Sequence, residues 1–214
     1  MAGTHRWKIC LVGDTGVGKT CVALRFYQDR FTGTVPTIGY AFMEKELAVD
    51  DVPHVFNLWD TAGQERYRSL ARGFFRRASA MVLIYDITNL QSFEVLGKYW
   101  IRSTQRGAPE NVALAIVGNK CDVEDERQVS TEEAEEFAKT HDAVFMEVSA
   151  KSGANIHSLF EKIARRLLET PELEFQAVGM RILTPASADD EDEDEETGKD
   201  YKTRCCSHLH LGSN

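Results

Sequence analysis

Apolar and polar positions along the chain follow two periods. Trp7–Val12 (WKICLV), Val55–Trp59 (VFNLW), Val112–Gly118 (VALAIVG) and Ala143–Val148 are short apolar, β-rich runs, the pattern of strands buried on both faces. Lys19–Gln28, Ser69–Ala78, Ser92–Gln105, Thr131–Thr140 and Asn155–Leu168 carry the spacing of amphipathic helices instead. Ser130-Thr131-Glu132-Glu133 reads as a capping box and marks one helix start. Strands alternating with helices predict an α/β fold, a mostly parallel six-stranded sheet covered by helices on both faces. Its site is expected at the carboxyl ends of the strands. The 214 residues suffice for one domain with a sizeable core, placed at residues 5–170, followed by a tail at 171–214.

The first candidate chemistry lies between the first strand and the first helix. Gly13-Asp14-Thr15-Gly16-Val17-Gly18-Lys19-Thr20 fits the phosphate-cradling pattern of P-loop nucleotide-binding proteins, in the strand–loop–helix context the motif requires. Backbone N–H groups from Thr15, Gly16, Val17, Gly18, Lys19, Thr20 and Cys21 can face phosphates at the positive end of the helix. Lys19 would reach the β- and γ-phosphates, and the Thr20 hydroxyl would ligate Mg²⁺. Asp60-Thr61-Ala62-Gly63-Gln64-Glu65 follows the Val55–Trp59 strand. Asp60 can hold Mg²⁺ directly or through water, Gly63 can bring an N–H to the γ-phosphate, and Gln64 is placed to orient an attacking water. Phe31–Gly39, polar and glycine-bearing, reads as a loop in which Thr37 can offer its hydroxyl to Mg²⁺ and its N–H to the γ-phosphate. A loop ordered by the γ-phosphate and released on its loss is the physical basis of a switch.

A second motif selects the base. Asn119-Lys120-Cys121-Asp122 ends the Val112–Gly118 strand. The Asp122 carboxylate can accept from guanine N1–H and the 2-amino group, which adenine lacks, and such paired polar groups reject the wrong base strongly. The Lys120 stem can cover the ring face. Ser149-Ala150-Lys151 follows the Ala143–Val148 strand and can bring a backbone N–H to guanine O6. GTP or GDP, with Mg²⁺, is therefore the expected ligand.

These motifs, in this order, resemble the Ras superfamily of small GTPases, and the small G-protein fold is what that resemblance implies. Trp59–Leu70 (WDTAGQERYRSL), Tyr85-Asp86-Ile87-Thr88, Ser92-Phe93-Glu94 and the paired cysteines Cys205-Cys206 are similar to the Rab branch. Thr37-Ile38-Gly39 with Phe42, together with the Gly13–Lys19 loop, is most similar to its endosomal subgroup. The resemblance implies a GTP-hydrolysing membrane-traffic switch in the cytoplasm, cycling to the cytosolic face of endosomal or other vesicle membranes. Its implied partners are effectors, an exchange factor, a GTPase-activating protein and a GDP-dissociation inhibitor. It marks Ile38, Phe42, Trp59 and Phe74 as effector-facing positions and Phe31 as the ring contact at the edge of guanine. The bland reading of the aromatics is core packing. Departures from the family pattern are Ala41 preceded by Tyr40 where an acidic residue is usual, and Arg77 in place of a glycine in the second switch helix. The step from Thr20 to Thr37 is also one residue short, so the first switch is expected to be re-aimed. A side chain at Thr15 can crowd the attacking water, so slow intrinsic hydrolysis is expected without a partner's arginine.

Charge and cysteines refine this picture. The eight acidic residues Asp189–Glu196 account for nearly all of the net charge of −9, leaving the rest of the chain close to neutral, with no basic stripe for nucleic acid. That run reads as a solvated spacer or as an acidic docking element. Five scattered cysteines do not form a disulfide framework, and a reducing cytosolic compartment is expected. Two prenyl groups on Cys205 and Cys206 would give stable anchoring, but eight residues follow, Ser207–Asn214, so this is no C-a-a-X end. The alternatives for the tail are an unmodified, cytosolic GTP-binding adaptor and a soft-ligand metal site in Cys205-Cys206-Ser207-His208-Leu209-His210. For the domain they are another P-loop phosphotransferase, such as a nucleoside kinase, and an inactive GTPase held in one state.

Overall fold

The computed structural model describes residues 4–32, 37–63, 73–170 and 173, all within one compact unit. Six strands form one sheet: β1 His5–Val12, β2 Tyr40–Val49, β3 Val52–Thr61, β4 Ala80–Asp86, β5 Ala113–Asn119 and β6 Val144–Glu147, in the order β2-β3-β1-β4-β5-β6. Only β2 runs antiparallel, paired with β3 from Tyr40↔Thr61 to Val49↔Val52; the other four pairings are parallel. Strand order reverses between β1 and β4, the switch point at which a doubly wound sheet opens a crevice beyond its strand ends.

Period-two alternation sorts β1 between two cores. Trp7, Ile9 and Leu11 face one apolar cluster, with α1 (Lys19–Gln28) contributing Val22, Ala23 and Phe26, and α5 (Ile156–Leu168) contributing Leu159, Phe160 and Ile163. Cys10 and Val12 face the other, with α2 (Leu90–Val95), α3 (Ile101–Gly107) and α4 (Thr131–Thr140) packed above. Phe26 and Phe160 stack at 3.7 Å, joining α1 to α5 across their shared face. Between the neighbouring strands β1 and β3 the Trp7 indole N–H donates to His54 Nδ1 at 2.8 Å, fixing that imidazole as an acceptor at this nitrogen.

Four helices match the sequence pattern closely. Lys19–Gln28 and Thr131–Thr140 have the expected bounds, and Ser130 Oγ accepts the Glu133 N–H at 3.1 Å, as a capping box requires. Asn155 stands just outside α5, with φ 60, instead of opening it. The expected Ser92–Gln105 helix runs from Leu90 to Gly107, with a π-helical stretch at Leu96–Trp100 between α2 and α3. The bulge seats Gly97 against the Phe137 ring, where an added Cβ would come within 3.3 Å. Strands β2 and β4 had not been singled out as elements.

The helix expected at Ser69–Ala78 falls partly outside the described residues, and its C-terminal end is corrected. Helical backbone stops at Phe74; Arg76 and Arg77 form a turn, and Arg77 has φ 58. The glycine expected there by family resemblance would suit that left-handed conformation, which costs other residues about 1 kcal/mol. Leu173, at the start of the expected tail, is buried in the α1/α5 cluster, where its N–H donates to Thr170 O and its carbonyl accepts from Ser79 Oγ at 2.5 Å, so the tail leaves from a docked start. Arg77→Gly should raise stability by about 0.5–1 kcal/mol, read as a higher urea midpoint at unchanged slope.

Candidate functional site

The candidate site lies along the carboxyl ends of β1, β3, β5 and β6. At its phosphate end, Gly18 caps α1 with φ 92, and a Cβ there would run into the Asn119 carboxamide. Glycine is required on both counts. Lys19 is buried, and its ammonium donates to the Asp14 carbonyl at 2.7 Å, curling the Gly13–Gly18 loop around one cation. Thr15 and Gly16 are exposed on the loop's outer side, Val17 is buried, and Cys21 is half-buried on α1.

Three oxygens meet beside Lys19. Thr20 Oγ donates to Asp60 Oδ2 at 2.7 Å and lies 2.9 Å from Thr37 Oγ, which in turn donates to Asp60 Oδ2 at 3.2 Å. Asp60 is fully buried, and its Oδ1 has no hydrogen-bond partner. Burial pushes its pKa up, opposed by the Thr20 hydroxyl, the Lys19 charge and the Thr37 hydroxyl. Hard oxygen donors around a desolvated carboxylate with one oxygen unsatisfied fit a small divalent cation such as Mg²⁺. The short step from Thr20 has not turned Thr37 away from this point. Gly63 closes the wall: a Cβ would sit 2.6 Å from the Asp14 carbonyl and nearer still to Lys19 Nζ. Gln64 lies outside the described residues, as do Cys205 and Cys206.

At the base end, Asn119 is buried and bridges three loops. Its Nδ2 donates to the Val17 carbonyl at 2.8 Å, and its Oδ1 accepts the Ala150 N–H at 3.1 Å. Asp122 Oδ1 accepts from Ser149 Oγ at 2.5 Å, while Oδ2 lies 3.7 Å from Lys151 Nζ. A carboxylate has about four acceptor directions, so these contacts orient Asp122 and leave capacity for a bidentate donor. Lys120 adopts φ 69 and places its ammonium 2.5 Å from Asp86 Oδ2. Phe31 is exposed on the segment after α1.

The switch-facing aromatics also converge. Phe42 meets Trp59 edge-on at 5.4 Å, and Trp59 stacks on Phe74 at 5.5 Å. Trp59 is mostly buried, Phe42 about half exposed, and Ile38 is 82% exposed. Both the core and the surface readings hold, on different rings. Lys8 Nζ lies over Trp59, 4.8 Å from the ring centroid, and donates to the Arg76 carbonyl at 2.9 Å.

Three participants had not been singled out from sequence. Arg25, on α1, clamps the loop after β6 by donating to Ala150 O at 2.8 Å and Lys151 O at 2.7 Å. Asp86 is held by the Thr88 N–H and hydroxyl while it receives Lys120; the Tyr85–Thr88 motif was its only signal. Tyr40, noticed merely as a departure, lies on Trp59 and Phe74.

Because Asn119 serves both ends, Asn119→Ala strands the Val17 carbonyl and the Ala150 N–H in a buried setting. At about 1–3 kcal/mol for each orphaned group, affinity for a guanine nucleotide should fall on the order of a hundredfold or more. Titration with a fluorescent GDP analogue measures it.

The Ras family model matches residues 8–169. The Ras-related protein Rab-31 of Mus musculus is 45% identical over 168 residues, covering 78% of this chain and 86% of that protein. Ras-related protein Rab-22A of Homo sapiens is 44% identical over 164 residues, covering 76% and 84%. Ras-related protein RABF2a of Arabidopsis thaliana is 46% identical over 161 residues, covering 75% and 80%. With the nucleotide motifs brought together on one sheet edge and similarity spanning the whole domain, the chain belongs to the Ras family, as a GTP-hydrolysing Rab of the endosomal subgroup.

Proposed function

We propose that residues 5–170 form a GTPase domain working as a Mg²⁺-dependent GTP/GDP switch in endosomal vesicle traffic, with 171–214 as a tail that sets its membrane attachment. The observation that carries this is the meeting of Thr20, Thr37 and Asp60 at one end of a crevice whose other end holds Asp122 and Ser149. Thr20, Thr37 and Asp60 would hold the metal. When bound, it would neutralise charge on the β- and γ-phosphate oxygens.

Around it, the chain's own groups orient and bind. Lys19, already at the Asp14 carbonyl, would shift its ammonium to the phosphates. Thr15–Cys21 supply N–H groups to them, and the Gly63 N–H meets the γ-phosphate. Gln64 orients a water for in-line attack on the γ-phosphorus, the bond to the leaving GDP oxygen breaking as the new P–O bond forms. Asp122 and the Ser149–Lys151 loop read guanine, Lys120 flanks its ring face and Phe31 its edge. Loss of the γ-phosphate removes the reason for Thr37 to stay, freeing Ile38 and the surface it shares with Phe42, Trp59 and Phe74 from effectors.

Effectors, an exchange factor, a GTPase-activating protein and a GDP-dissociation inhibitor are the partners this cycle calls for. The similarity to Rab proteins supports cycling between cytosol and the cytosolic face of endosomal membranes, with prenyl groups on Cys205 and Cys206 as the anchor. No helix among the described residues is long and apolar enough to cross a membrane. The intact mass of protein from eukaryotic cells tests the anchor: two added prenyl groups support it, and an unmodified tail points to a cytosolic adaptor.

Purified protein should retain GTP and GDP but not ATP, and chelation of Mg²⁺ should speed nucleotide release by at least about tenfold. Equal retention of ATP would overturn the guanine assignment. Gln64→Leu should cut partner-stimulated hydrolysis by at least about a hundredfold with nucleotide affinity preserved. Thr20→Asn should favour the GDP form and weaken the dependence on Mg²⁺.

A further inference from the structure

Tyr40 is the first residue of β2, paired with Thr61 at the last rung of the β2–β3 ladder. One residue earlier the backbone turns at Gly39, φ 75, where an added Cβ would meet open space. The Gly39 carbonyl accepts the Ala62 N–H at 2.9 Å. Tyr40 is thus the strand residue nearest Thr37, one step beyond the turn at Gly39. The Tyr40 ring lies 5.3 Å from Trp59, stacked, and 4.4 Å from Phe74, tilted. Those two partners belong to different parts of the site. Trp59 immediately precedes Asp60, and Phe74 closes the helical backbone of the second switch.

We propose that Tyr40 is a positioning residue for hydrolysis: its ring clasps Trp59 and Phe74 and thereby holds Thr37 over Asp60 and the first switch against the second. This rests on the Mg²⁺-dependent switch proposed above. A half-exposed tyrosine is not needed for the core, and neither ring contact uses its hydroxyl. Its contribution falls on the conformation in which Thr37 Oγ reaches Thr20 and Asp60. The triphosphate form calls on that conformation most, because the γ-phosphate would add a partner for the Thr37 N–H to the contacts its hydroxyl already makes.

The test compares Tyr40→Ala and Tyr40→Phe with the unaltered chain. Release of a fluorescent GDP and of a fluorescent non-hydrolysable GTP analogue is followed in Mg²⁺, with single-turnover GTP hydrolysis and a thermal midpoint. Two lost ring contacts should speed release of the GTP analogue about tenfold and slow hydrolysis several-fold in Tyr40→Ala. GDP release should change less than twofold, the thermal midpoint should hold, and Tyr40→Phe should behave as the unaltered chain. Unchanged rates in Tyr40→Ala would overturn the proposal, as would equal acceleration with both nucleotides or failure of the phenylalanine variant to restore function. If the unaltered chain itself ignored Mg²⁺ or did not discriminate GTP from ATP, the switch reading would have failed first, and the Tyr40 comparison would reveal this separately.

Discussion

The Asn119 carboxamide is the tie on which the site depends. β1, β5 and β6 run parallel, so their carboxyl ends emerge on one edge, but three separate loops leaving an edge have no reason to keep register with one another. One buried side chain supplies it, donating to Val17 in the phosphate loop and accepting from Ala150 in the loop after β6. Gly18 has no Cβ because this carboxamide occupies the space. Arg25 repeats the connection from α1 by gripping the carbonyls of Ala150 and Lys151. The phosphate and base ends of the crevice are consequently one mechanical unit. A shift of the loop after β6 therefore also disturbs the Gly13–Gly18 loop.

Against this rigid half, the γ-phosphate half is held by few contacts. Thr37 reaches Thr20 and Asp60 through one hydroxyl, and the backbone turns at Gly39 two residues on. At the end of the second switch the chain carries local cost in two forms. Arg77 takes a left-handed conformation, and Lys8 is buried beneath it, its pKa lowered first by desolvation and then by Arg77 itself. The Arg76 carbonyl and the Trp59 face compensate Lys8 only while that turn stays in place. Cys10, on the same face, is pushed up to about 12 by burial and stays an uncharged thiol against the Phe74 carbonyl. Such costs persist where surrounding packing over-determines them, and here they adjoin the segment that has to move.

Much of this was legible in the chain because the chemistry is local. A lysine and threonine after Gly18 place a helix start, a cation and a metal oxygen within three residues, and α1 has the bounds its pattern gave. The Ser130 cap is similarly contained in four residues. β2 was harder to read: as an edge strand its YAFMEKELAV alternates half-buried with exposed positions and carries charges, so no apolar run marks it. The π turn at Leu96–Trp100 answers to Phe137, forty residues on, and Leu173 to Ser79, across the fold. Arg25, Asp86 and Tyr40 were missed for the same reason, since each acts through partners that only tertiary packing brings near.

That division between local and long-range information bears on how this Rab differs from its relatives. The residues of the nucleotide motifs are dictated locally, and none of the departures in this chain removes one of them. Two of the departures fall on contacts that connect the motifs: Tyr40 across to Trp59 and Phe74, and Arg77 beside Lys8. With Tyr40 as a positioning residue, substitution there would tune hydrolysis while the side chains of the nucleotide motifs stay in place. A family in which nucleotide chemistry is shared and timing is individual can diverge at such positions without loss of binding. Since Ile38, Tyr40 and Phe42 are also exposed beside one another, whatever sets that timing is presented on the same surface a partner would read.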